Sequence, residues 1–204
     1  MSNQANVPKI NRAARLSILS ALYASGVVGI LHWLNREYDI ISDPLSYYAV
    51  GALGAWMASA IAAFALSVMA LAHALSRVLD VSRVGIALLW NAGASFFIAS
   101  IFPTDVTASC LPVTIVGFIH TIASYYAAPC LVSAALLLSR RGEMLYGFAL
   151  ASWFALVVLV IVNHLQLHIG GIGQRIFLAL VWLWTMLSAR RVQRLRLRGD
   201  ASAQ

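Results

Sequence analysis

The chain alternates six long apolar runs with short polar breaks. A run of about 18 or more apolar residues with few charges reads as a transmembrane helix, so the runs predict helices at about 16–34, 49–75, 84–102, 112–138 and 144–165, with a shorter sixth at 176–189. Pro103 ends the third run, because proline lacks an N–H and disfavours helical geometry at the residue before it. Pro129 predicts a kink in the fourth. The stretch Ile169-Gly170-Gly171-Ile172-Gly173 reads as a helix break. Small residues at Gly51, Ala55, Ala58, Ala62 and Ala65 recur on one face of helix 2 and predict a packing seam, and Asn91 in helix 3 predicts a bond to a neighbouring helix.

Composition agrees with this pattern. Of 204 residues, 61% are hydrophobic and 10% charged, with a mean hydropathy of +0.83, whereas soluble domains are about one-quarter charged. The fold class is all-α: a polytopic six-transmembrane-helix bundle with a tail at 1–15, a membrane domain at 16–189 and a basic tail at 190–204. The formal net charge of +7 is dispersed between the runs and crowded at the two ends, a distribution that orients helices rather than one that binds nucleic acid. With an N-in/C-in topology, Lys9, Arg12, Arg15, Arg77, Arg83, Arg140, Arg141 and the five arginines of the tail lie inside, and Arg36 and Arg175 outside. The expected location is the cell membrane, the inner one in a Gram-negative cell, with membrane lipids and other membrane proteins as partners. The arginine-rich tail suits anionic lipid. Cys110 and Cys130 are twenty residues apart in mostly helical sequence, too far for a disulfide, and no cysteine cluster suggests a metal or iron–sulfur site.

The polar residues gather toward the outer side. Helix 6 offers only about fourteen uncharged residues, roughly 21 Å against a hydrocarbon core of about 30 Å, so Arg175 is expected at the membrane boundary with either a carboxylate partner or a path to the surface. Asp105 is the expected partner, with His120 deep in helix 4 beside it. An ionisable group at that depth is a functional candidate. Asp43 and Ser124, one turn from His120, complete the set of ligand or ion-pair candidates.

Several short motifs stand in a fixed order against the helices: Asp43-Pro44-Leu45-Ser46 with Tyr48-Ala49-Val50-Gly51, then Phe102-Pro103-Thr104-Asp105, His120, and Gly173-Gln174-Arg175 followed by Trp182 and Trp184. Together they resemble the DUF 998 family of bacterial and archaeal membrane proteins along nearly the whole chain. The resemblance implies a single six-helix domain whose motif residues face outward, and it implies no activity. A similarity of architecture alone extends to eukaryotic six-helix proteins of the Frag1, DRAM and Sfk1 type, which are connected with lipid handling.

The reading that follows is a non-enzymatic, lipid-associated or partner-binding protein with an outward polar pocket and no cofactor. A second reading is a zinc-dependent lipid hydrolase. His164 and His168 lie four apart on one helix face, and His120 and Asp105 would complete the ligands, a set similar to that of alkaline ceramidases and adiponectin receptors, which have seven helices rather than six. A third is haem held between His120 and His32 or His164, and a fourth is small-molecule transport.

Overall fold

A computed structural model describes residues 7–77, 81–107, 112–139 and 143–201, with side chains from residue 10 to residue 194. It contains six long helices, α1 (Val7–Leu34), α2 (Gly54–Leu75), α3 (Arg83–Ile101), α4 (Ile115–Leu138), α5 (Met144–His164) and α6 (Gly170–Ala201), plus a short 3-10 helix at Leu45–Ala49. Among the described residues there is no strand. All six helices are long and apolar enough to cross a membrane, and large apolar side chains such as Leu19, Ile30 and Phe154 point outward from the bundle. The chain is a multi-pass membrane protein. Consecutive helices pack side by side, α6 closes the ring against α1, and α2 reaches across to α6. The bundle end away from the termini is called outer, following the charge asymmetry.

The interior is filled with small and aromatic residues. Phe64 packs edge-on against Phe96 and Trp182, with ring centroids 5.3 and 5.8 Å apart. Helices in lipid gain little from burying apolar surface and associate by close approach. At Gly93 a Cβ would sit 3.2 Å from the carbonyl oxygen of Ala65, so the expected small-residue seam on α2 is used there. Farther out the seam opens, and Ala55 is exposed. At the inner end, Trp184 donates to the Ser139 hydroxyl (3.0 Å), and Arg191 forms a two-pronged ion pair with Glu143.

Four boundaries differ from the sequence reading. α1 starts at Val7, with Ile10 and Ala14 buried, rather than at residue 16. Helix 2 divides: the 3-10 helix ends at Ala49, Gly51 takes a left-handed φ of +88°, and α2 begins at Gly54. α6 starts at Gly170, six residues before the expected Ile176, and the tail of arginines continues it to Ala201. The real break is at 165–169, where Gln166 has φ +52°. Asn91 is exposed and bonds the Ala87 carbonyl of its own helix (2.9 Å), not a neighbour. Cys130 is a buried free thiol, while Cys110, Arg140 and Arg141 lie outside the described residues.

Candidate functional site

The first outer loop, residues 35–53, is short-range in its bonding and therefore compact. The Asp39 carboxylate accepts from the Ile41 N–H (2.9 Å) and the Ser42 hydroxyl (3.0 Å), and the Asp43 carboxylate accepts from the Asp39 N–H (2.8 Å). Aspartate side chains that bond their own backbone in this way stabilise tight turns. The Ile41 amide, and next the Ser42 hydroxyl, hold the Asp39 carboxyl below the usual carboxylate range, and the Arg175 charge adds a smaller pull.

The opening turns of α6 press against this loop. A Cβ on Gly171 would lie 2.5 Å from the Asp43 carbonyl oxygen and 2.9 Å from that of Ile40, so only glycine permits the approach. The contact is then sealed by hydrogen bonds: the Ile172 N–H donates to the Ile41 carbonyl (3.0 Å), and Gln174 Oε1 accepts from the Leu45 N–H (2.7 Å). These backbone groups would otherwise be unpaired at a membrane surface.

Arg175 sits in the angle between loop, α1 and α6, half-buried. Its Nε–H donates to His32 Nε2 (2.7 Å), Nη1 to the Asp43 carbonyl (2.8 Å) and Nη2 to the Tyr48 hydroxyl (3.2 Å). The guanidinium carbon is 5.8 Å from the centroid of the Tyr48 ring, within reach of a cation–π attraction. His32 Nδ1 pairs with the Val28 carbonyl (2.7 Å), which assigns its proton to Nδ1 and leaves Nε2 as the acceptor Arg175 needs. The imidazole also meets the fully buried Tyr48 edge-on at 5.3 Å. Counted along α6, Arg175 stands fifteen residues, roughly 22 Å, from Arg190, which in a core of about 30 Å puts it about 8 Å beneath the outer boundary.

Every hydrogen-bond partner of this cation among the described residues is neutral. Among the described residues its guanidinium meets no carboxylate within ion-pair distance, and the ion pair found is Arg191 with Glu143. Arginine has five N–H donors, so three hydrogen bonds leave two uncommitted. The expected Asp105–Arg175 pair is therefore corrected: the two residues belong to different networks. α6 begins before Arg175 rather than after it, which leaves Arg175 inside the boundary as expected but with other partners.

Asp105 lies in the loop after α3 and caps α4. Its carboxylate accepts from the Val113 and Thr114 N–H groups (both 2.8 Å) and from the Thr114 hydroxyl (2.9 Å), while the Thr114 hydroxyl accepts from the Gly117 N–H (3.0 Å). A carboxylate there meets orphan amides and the positive end of the helix dipole. The Thr114 amide, and then Val113, hold the Asp105 carboxyl below its usual range. A Cβ on Gly117 would overlap this carboxylate. His120 is buried at 4% exposure, and its Nδ1 lies 3.0 Å from the Ala99 carbonyl and 2.7 Å from that of Phe102. It satisfies the last carbonyls of α3, which have no partner within the helix. Ser124 is half-buried one turn further along α4. Tyr47, donating to the Thr107 carbonyl (2.8 Å), ties the Asp105 loop to the first loop.

The zinc set is not brought together. His164 and His168 are exposed at the outer end of α5 while His120 is buried on α4, and among the described residues no three His, Cys, Asp or Glu side chains converge as a metal would require. Both His32 nitrogens are engaged, so neither is free to ligate haem. Asp43 contributes its main-chain carbonyl rather than its carboxylate. The sequence points to His32 only as a haem ligand, and to Tyr48 and Gln174 only as motif residues. Their signal is the motif pair itself, since both ends of it meet at Arg175.

No curated protein and no solved structure matches the chain. Residues 18–191 match the family described as DUF998, protein of unknown function, a stretch that includes His32, Asp43, Tyr48, Gln174, Arg175, Asp105 and His120. With that match over most of its length and six helices able to span a membrane, the chain is a multi-pass membrane protein of the DUF998 family.

Proposed function

We propose that this protein is lipid-associated and holds an anionic headgroup at its outer face, with Arg175 as the recognising group. The observation that carries this reading is a half-buried guanidinium near the outer boundary whose described partners are all neutral. Neutral acceptors satisfy donors but form no ion pair, and the Asp39 carboxylate, which feels the Arg175 charge only weakly, is taken up by Ile41 and Ser42. A charge so little compensated in a low-dielectric setting favours an anion brought from outside. A phosphate is suited to the two remaining N–H groups, because the planar fork of arginine pairs with two oxygens at once.

Native mass spectrometry of the detergent-purified protein tests this. The wild-type protein is expected to retain an anionic phospholipid, Arg175→Gln to lose it by about tenfold, equivalent to about 1.4 kcal/mol, and Arg175→Lys to keep an intermediate amount. Equal retention by wild type and Arg175→Gln, with both folded by tryptophan fluorescence, would remove the proposal.

A further inference from the structure

We infer that the anion held by Arg175 is the phosphate of a membrane phospholipid that enters sideways, between α1 and α6, and not a soluble anion arriving from the water above. This inference rests on the reading of Arg175 just given and adds the route and the remainder of the ligand.

The site is roofed. The backbone of residues 40–45 lies over the first two turns of α6, held by the Ile172 to Ile41, Leu45 to Gln174 and Arg175 to Asp43 hydrogen bonds, with Gly171 in direct contact beneath. Tyr48, fully buried, covers a further side of the guanidinium with its hydroxyl and ring.

The lipid-facing side is open. On α1, Tyr23 reaches α2 through Ser59 (3.0 Å) and His32 reaches α6 through Arg175, so these two positions mark opposite flanks of the helix. Gly29 is three residues before His32 and so adjoins it on the helix surface, one turn deeper. A Cβ at Gly29 would meet nothing within 4 Å. On the antiparallel neighbour, Ala179 is one turn deeper than Arg175 and also exposed. Each position thus lies about one turn inward of its end of the His32–Arg175 hydrogen bond, and neither puts a long side chain in the way. A phosphate on the free N–H groups of Arg175 would set the first acyl carbons against Gly29, whereas an anion from solution would have to pass the hydrogen-bonded roof.

The test is Gly29→Leu, with Gly147→Leu as control, since Gly147 is equally open but stands at the inner end of α5. Gly29→Leu is expected to lower retained phospholipid at least about fivefold while the delipidated protein melts at the same temperature or higher, leucine being the better helix residue. Gly147→Leu is expected to retain the lipid, and inorganic phosphate at about 10 mM should leave the melting temperature of the delipidated wild type unchanged, because a ligand that cannot reach its site cannot stabilise by mass action. Retention in Gly29→Leu together with loss in Arg175→Gln would overturn the lateral route alone. Stabilisation by free phosphate, equal in wild type and Gly29→Leu, would overturn it in favour of a water-facing anion site. Retention in Arg175→Gln would overturn the parent proposal.

Discussion

A guanidinium in low-dielectric surroundings needs its N–H groups met first, because each unmet donor there costs about 1–3 kcal/mol. Arg175 meets that need at three of its five N–H groups, with an imidazole, a carbonyl and a phenol, and Asp105 meets the mirror-image need with two amides and a hydroxyl. Asp39 and Asp105 are held below the usual carboxylate range chiefly by the N–H groups they accept from. A depressed native value means that the stabilisation is fully present above the ordinary aspartate titration and is lost as pH falls through the lowered value. Hydrogen exchange, corrected for its intrinsic pH dependence, should therefore show the amides of Ile41, Val113 and Thr114 losing protection in acid while the helices hold. Asp105→Asn should show the loss at Val113 and Thr114 already at neutral pH. Unchanged protection in that variant would contradict the cap.

At the scale of the element, α6 shows why glycine is ambiguous in a sequence. Its helix propensity is about 1 kcal/mol worse than that of alanine, so a Gly-Gly pair reads as a break, yet here Gly170 and Gly171 open the helix because something must lie against them. The six apolar runs were legible because each carries its own signal of length and hydropathy. The starts of α2 and α6 were not: α6 starts where the distant backbone of residues 40–43 passes Gly171, and α2 starts only after the left-handed turn at Gly51, with the Ala49 carbonyl against Gly54. Gly171 and Gly29 look alike in the sequence but meet different surroundings, close backbone at Gly171 and open space at Gly29. Gly171→Ala should destabilise by about 1–3 kcal/mol, the usual cost of overpacking, because the new methyl meets backbone that cannot step aside. Gly29→Ala should be neutral or stabilising by up to about 1 kcal/mol. Chemical denaturation of the two variants in the same detergent checks this, and equal effects would refute the roofed geometry.

At the scale of the whole molecule, the outer end carries two polar networks. One joins α1, the first loop and α6 through Arg175; the other joins α3 to α4 through Asp105 and His120. Because they share no side-chain partner, the losses in stability from Asp105→Asn and Arg175→Gln should add within about 0.5 kcal/mol in a double-mutant cycle. A coupling well above that would show that the connection from Tyr47 to Thr107 transmits more than a single hydrogen bond. Arg175 itself was legible as a misplaced charge in an apolar helix. Its partners were hidden for a physical reason: Asp43 offers a main-chain oxygen, which every residue has, and His32 lies 143 positions earlier in the chain.

That separation has a consequence for biogenesis. The first outer loop follows α1, but the helix that latches it, α6, is inserted only after four further spans. Until then Tyr48, destined to be fully buried, stands uncovered, and five spans wait in the bilayer around an unfinished cap. Closure of the outer end thus reports that α6 has been threaded, and a protein arrested before α6 would display residues 35–53 to any protease on that side.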